Sequence, residues 1–547
     1  KSGTNRLAGT LYDYYRDERF DARSYFAKKA NLDKATNDQN QFGANLGGPI
    51  AKGKAFFFAD VEATRITQGV LRTGRIMTEA ERRGVFGSTI LDPASGRTPF
   101  PNNTIPDTRI DPVARAIIAM LPAPNASGSN NFIRQPNVED DGERYLTRLD
   151  LRPGGSDQIF ARYIYTDRTR FVPGFIGGLI DGTGTSAWGR NFLKSQSLVG
   201  GWTKTFSDAL VNELRVSWAH GDSQGLQDPF GQDAISQIGF KGVPADPNVL
   251  GGIVGVDISG HLRLGSPNFM PKFQKTDQFQ YLNTLTWLTG RHQIKFGADI
   301  MAPMKNEYLD IPSTRGNVRF TGQFTGNAIA DFLLGYVRQA ELSNVHIVNQ
   351  RRWSMSYFVQ DDWRVNGRLT LNLGLRYDFM TPSYEADDRM ANFDPSGAGG
   401  LVFAKAGSLE DRTLVRPDWN NLAPRVGVVY QLDDRTVVRG GFGMFYNRQN
   451  LDAVLNPFTS SPPLVQTPVI NFGRMSELGT STGLLFPQAV FGIDGEGKVP
   501  TVMNFSLAVQ QNIGFNTVLD VGYVGNLGRN MMWQRNLNPI PFGANFL

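Results

Sequence analysis

Two stretches of the chain carry glycine-spaced residues of the kind that do chemistry. Gly479-Thr-Ser-Thr-Gly483 has the spacing of a nucleophile elbow, in which Ser481 would sit on a strained strand-to-helix turn beside a histidine and an acid. The context supplies neither: the stretch lies in a Gly/Ser/Thr-rich loop, no helical pattern follows, and no histidine is near in sequence. Gly492-Ile-Asp-Gly-Glu-Gly-Lys498 approaches a phosphate-binding loop. Val499, however, stands where Mg²⁺ coordination requires Ser or Thr, and Pro500 blocks the helix whose N-terminus would hold the phosphate. The acidic clusters Glu139-Asp-Asp141, Asp387-Asp388 and Asp433-Asp434 could bind Ca²⁺, but they lack EF-hand spacing, and solvated charge is the plainer reading. The absence of Cys removes zinc ribbons, redox pairs and thiol nucleophiles, and four dispersed histidines (His220, His261, His292, His346) leave little for a metal site. No catalytic, cofactor-binding or metal-binding residue is nominated, and no cofactor is expected.

The remaining chemistry is electrostatic. Arg144, Arg148, Arg152, Arg162, Arg215, Arg376, Arg425 and Arg439 each fall, by parity, opposite the apolar side of an alternating segment. The clearest segment is 369–379, where Leu369, Leu371, Leu373, Leu375, Tyr377 and Phe379 share one face and Thr370, Asn372, Gly374, Arg376 and Asp378 the other. An arginine facing mid-bilayer lipid costs about 2–4 kcal/mol, so these eight are expected to face a lumen. There they would grip an acidic surface filling that lumen or guide an anionic substrate; the alternative is an Arg/Asp network that braces the wall. The same parity predicts that Leu373→Arg is costly and Asn372→Arg nearly neutral.

Alternation of this kind recurs along the chain and predicts about fifteen strands of roughly ten residues, the length a tilted strand needs to cross a bilayer. The expected spans are 5–16, 40–51, 54–64, 143–152, 157–168, 195–206, 209–220, 276–288, 291–302, 352–364, 368–380, 423–431, 434–446, 501–512 and 516–526. Connections alternate between tight turns, such as Lys52-Gly53 and Thr289-Gly290, and long Gly/Pro-rich segments. Outer-membrane barrels alternate in this way, whereas a soluble sandwich or propeller has no reason to lengthen every second loop. Trp218, Phe379, Tyr446 and Tyr523 are expected at the long-loop ends of their strands and Trp287 and Trp363 beside short turns, as two interfacial girdles. Thr78 to Glu81 has capping-box spacing, and Asp111-Pro112 starts a second short helix over Val113 to Leu121. A mean hydropathy of -0.30, with no run near the ~20 apolar residues of a membrane helix, rules out helical membrane proteins and leaves a barrel open. The net charge of +5 comes without a basic run, so no nucleic-acid partner is expected.

The chain resembles the barrel of TonB-dependent outer-membrane receptors, in particular the Oar-like group. The resemblance rests on Lys1 to Asn5, Asn40-Gln-Phe-Gly43 with Gly47-Gly-Pro-Ile50, Ile105-Pro106 and Arg109 to Ala114. It continues through Gly326 to Gly335, Gln360-Asp-Asp-Trp363 with Leu369 to Tyr377, Asn420 to Gly427, and Gly522-Tyr-Val-Gly525. It implies a 22-stranded barrel, plugged by an N-terminal domain, that draws energy from the TonB complex to import a scarce substrate. On this reading residues 1–547 are a partial barrel domain in a Gram-negative outer membrane. The plug, the TonB-contacting segment and about seven strands are then expected outside it. Its partners would be outer-membrane lipids, its own plug, the TonB complex and an extracellular substrate recruited by the long segments 65–142, 221–275, 303–351 and 447–500. Two other readings are a structural or adhesive outer-membrane barrel without active import, and a secreted β-rich glycan hydrolase, which would need paired carboxylates in a cleft.

Overall fold

The computed structural model describes residues 2–547 except 30, 182–188, 229, 244–245, 268, 396–399, 448–458, 481–483, 487–488, 542 and 545–547. Fifteen long strands follow one another in a single meander: β1 Ala8–Arg16, β2 Asn37–Ala51, β3 Ala55–Gly69, β4 Asn137–Gly154, β5 Asp157–Val172, β6 Gly189–Ser207, β7 Leu210–Leu226, β8 Lys272–Thr289, β9 His292–Leu309, β10 Val348–Arg364, β11 Leu369–Met380, β12 Leu422–Gln431, β13 Thr436–Tyr446, β14 Thr501–Gly514 and β15 Thr517–Arg529. Each pairs antiparallel with its sequence neighbours, and a short strand, Tyr384–Glu385, adds to β10. All fifteen expected strands are present in the expected order. Among the described residues no helix is long and apolar enough to cross a membrane.

Register fixes the two faces. On β10 the apolar side runs from Trp363 beside the short turn through Asp361, Val359, Tyr357 and Met355 to Trp353, with Arg351 beyond. Ten residues at about 3.4 Å each, tilted near 40°, rise about 26 Å, close to the apolar height of outer-membrane barrels. At the short-turn end, His292 stacks on Trp363 with ring centroids 5.1 Å apart and its Nδ1 lies 2.7 Å from Asp361. Toward the long loops, Trp218 Nε1 donates to Asp277 at 3.2 Å and stacks on His220, Tyr145 lies against Tyr165, and Phe379 stacks on Trp419 at 4.0 Å.

Several strands reach 17 to 19 residues, well beyond the ten expected. Just outside the aromatic girdle the apolar side gives way to a charged row, Glu143, Asp167, Lys194, Asp222, Lys275 and Glu307, which are successive cross-strand partners on β4 to β9. Strand pairing thus continues after apolar alternation has stopped, which is why a reading keyed to hydrophobic periodicity cut these strands short. Tyr523 likewise sits in the middle of β15 rather than at its loop end, because that strand runs on to Arg529.

The long connections do not stand as separate fingers. Five of them contribute to one apolar core that includes Ile90, Ile105, Ile117, Ile180, Val254, Phe320, Phe332 and Ile470. A five-stranded sheet, ordered Gly255–Ile258, Asn317–Phe320, Gln339–Glu341, Val469–Asn471 and Leu484–Phe486, runs through the same body. Both expected helices form part of this cap. Thr78 Oγ1 accepts from Glu81 N and Glu81 Oε2 from Thr78 N, starting Glu79–Arg82. Asp111 caps Pro112–Ile118, which ends three residues before the expected Leu121. A third helix, Ala328–Leu333, is capped by Asn327 and fully buried along most of its length.

Candidate functional site

The eight arginines lie on the polar face, opposite the belt, and the structure sorts them into two groups. Three are neutralised. Arg144 sits across from Glu62, 3.8 Å from it and 3.5 Å from Asp60. Arg148 holds Asp150 at 2.7 Å and covers the Phe160 ring. Arg376 donates through Nε to Asp378 at 2.8 Å and reaches Asp299 at 4.0 Å, while Asp299 also accepts from Gln280 at 2.8 Å. Two of these carboxylates follow their arginine by two residues, the strand spacing that puts both on one face, and in that sense were legible in sequence. Asp60, Glu62 and Asp299 come from other strands and needed the register.

The other five have no carboxylate within ion-pair distance among the described residues. Arg162 is the cross-strand partner of Arg148, and its Nε is buried without a hydrogen bond. Arg152 covers Phe56 at 5.6 Å, and Arg425 covers Phe445 at 4.7 Å. Arg439 donates to Gln510 at 2.7 Å, and Arg215 lies between Gly201 and Leu282. Arg148, facing it across the strand pair, already holds Asp150, so the surplus positive charge of that pair rests on Arg162.

Arg376 and Arg425 converge on a pocket of about 190 Å³ lined also by Asp378, Met380, Phe445 and Tyr446. Glycine makes the room. Arg425 is flanked across the sheet by Gly374 and Gly443, and a Cβ at Gly443 would stand 2.9 Å from the Phe445 ring. A planar guanidinium, its face held by an aromatic ring and its edge free, is suited to bidentate recognition of an oxyanion or carboxylate.

The remaining sequence motifs carry no such arrangement. Ser481 lies outside the described residues. Lys498 pairs with Glu496 at 2.6 Å in an irregular loop. Asp140 pairs with Arg168 and Arg170, Asp388 with Arg412, and Asp433 caps the turn before β13. Asp17, Glu18 and Asp38 cluster beside β1 and were not singled out in the sequence. Arg19 occupies Asp17, holding its carboxyl well below the usual range.

The chain matches the outer membrane beta barrel domain family over residues 1–546 and belongs to it. The protein is therefore an outer-membrane β-barrel protein of a Gram-negative bacterium. No curated protein matches the sequence. Among solved structures it is similar to the outer membrane transporter YddB from Escherichia coli, at 12% identity and a TM-score of 0.50, covering 95% of this chain and 52% of that one. It is also similar to the siderophore receptor PirA from Acinetobacter baumannii (11%, TM-score 0.45, 97% and 54%) and the ferric yersiniabactin uptake receptor FyuA from Yersinia pestis (10%, 0.44, 97% and 56%). The chain spans about half the length of these structures.

Proposed function

We propose that the chain forms wall and extracellular cap of a TonB-dependent receptor that imports a scarce anionic substrate. The observation that carries this reading is the split among the polar-face arginines. Bracing alone would pair each with a carboxylate, as it does Arg144, Arg148 and Arg376, yet Arg152, Arg162, Arg215, Arg425 and Arg439 have none within ion-pair distance among the described residues on the same face. Facing a lumen, they raise the local concentration of anions, and the Arg376/Arg425 pocket offers a resting place. The surplus would equally hold an acidic plug surface. The likeness to solved transporters supports the fold, and the motif resemblance supports TonB coupling.

The complete gene tests the reading. A plug-forming domain with a TonB-contacting segment ahead of residue 1, and about seven further strands beyond residue 547, support import through a 22-stranded barrel. Their absence from the complete gene supports the adhesive alternative.

A further inference from the structure

The cap buries one cation that no described side chain neutralises. Arg315 lies in the turn leading into Asn317–Phe320 and is 2% exposed. Its Nη2 donates to the Gly252 carbonyl at 3.2 Å, and its Nε has no hydrogen-bond partner. The acid whose attraction reaches it, Asp233, is engaged by the amide and hydroxyl of Ser236, and the neighbouring Arg263 takes Asp257 at 2.6 Å. Apolar side chains pack against this turn: Val254 and Leu342 both stand 3.1 Å from a Cβ placed on the adjoining Gly316. Burial pulls the Arg315 guanidinium down to about 10.

Three further atoms without partners belong to residues that adjoin Arg315 in the chain or the Gly252 carbonyl it binds. Ser266 Oγ, Thr314 Oγ1 and Gln227 Oε1 are buried without a hydrogen bond. Gly252 ties the group together: its carbonyl binds Arg315, and a Cβ placed on it would stand 2.6 Å from Ser266 Oγ and 3.6 Å from Gln227 Cγ. Gln227 spends its amide on the carbonyls of Val249 and Gly251, leaving Oε1 in need of a donor.

Unmet polar groups in a core each carry a desolvation penalty, and an unpaired charge carries a larger one. Water would satisfy the N–H and hydroxyl groups yet leave the charge in hydrocarbon. We propose that Arg315, with the hydroxyls of Ser266 and Thr314, forms a buried site for a small oxyanion of the phosphate or sulfate class. The bound ion neutralises the guanidinium; phosphate, which keeps a protonated oxygen at neutral pH, also supplies the donor that Gln227 lacks, whereas sulfate would not. It also pins Gly255–Ile258 to its parallel partner Asn317–Phe320.

The test is amide hydrogen exchange over 250–268 and 311–320 in the purified full-length protein. Inorganic phosphate is titrated at constant ionic strength after exhaustive exchange into chloride buffer, and residual anion is counted in the denatured protein. Wild type is expected to gain at least tenfold protection in both segments, saturably, or to retain one phosphate or sulfate per chain that Arg315→Met does not retain. Arg315→Met should show no phosphate response and, without phosphate, protection equal to or above wild type. Ser266→Ala should keep the response with a midpoint several-fold higher. An anion-free wild type whose exchange ignores phosphate, or an equal response in Arg315→Met, overturns the site. Should Arg315→Met fail to fold, an unchanged midpoint in Ser266→Ala overturns it as well.

Discussion

Placing an arginine on β11 at three neighbouring positions separates the faces of the wall and locates its middle. Leu375 is 46% exposed and faces Val359 and Pro424 across the sheet, midway between Trp363 and Trp353 on the adjoining strand. Leu375→Arg should therefore carry the full mid-bilayer cost of about 2–4 kcal/mol, roughly 30- to 700-fold in the folding equilibrium. Leu373, which the sequence alone marks as equally costly, is the cross-strand partner of Asp361, whose carboxylate already holds His292. An arginine there reaches a counter-ion near the girdle, so its cost should fall to about 1–2 kcal/mol. Asn372 lies on the polar face and donates to Asp362 at 2.6 Å; Asn372→Arg exchanges that bond for an ion pair and should stay within about 1 kcal/mol of wild type. The assay is urea unfolding of the full-length protein from lipid vesicles, and the expected order of cost is 375, then 373, then 372. A cost for Asn372→Arg equal to that for Leu375→Arg would refute the assignment of faces.

Three further outcomes follow from the cap and the wall. His261 and His346 lie in cap loops and burial lowers both below the ordinary imidazole value, so the fold binds fewer protons than the unfolded chain. Their contribution is present above about pH 6.5 and is lost as pH falls from there through the lowered values. Cap exchange protection should fall between pH 7.5 and 5.5, and His261→Gln with His346→Gln should flatten that dependence. Ile117→Asp, at a fully buried cap position, should cost about 3 kcal/mol or more and raise exchange in 76–121 and 318–342 together while the strands keep their protection; loss confined to 112–118 would show that the loops do not share a core. At Gly297 a Cβ would stand 2.2 Å from the Phe358 ring and 2.9 Å from the Asn283 carbonyl, so Gly297→Val should destabilise the β9/β10 pairing by about 1–3 kcal/mol, with part recovered by adding Phe358→Ala; an unchanged urea midpoint would contradict that packing.

What the sequence could show depended on how far each contact reached. The alternation in 369–379 and the tight turns at Lys52-Gly53 and Thr289-Gly290 are local, and they sufficed for strand order and hairpin pairing. The cap was not legible. Its strands Asn317–Phe320 and Gln339–Glu341 are too short to show a period, and Val469–Asn471 joins them from more than a hundred residues away. Ala328–Leu333 is a six-residue helix buried nearly all round, so it offers no amphipathic stripe. Arg315 gave no signal either, because a lone arginine in a Gly/Pro-rich loop reads as solvated until the fold closes over it.

The central claim is that alternate residues of each strand face lipid, and the absence of cysteine from residues 1–547 makes it directly measurable once any cysteine outside that range is replaced by serine. Single cysteines introduced one at a time from 353 to 363 on β10, spin-labelled in the full-length protein in vesicles, report access to oxygen, which partitions into lipid, against a water-soluble nickel chelate. The account predicts a period of two, with positions 355, 357 and 359 accessible to oxygen and 356, 358 and 360 shielded from it, the contrast peaking near 359. A flat profile, or one in which the even positions are the oxygen-accessible set, would contradict it.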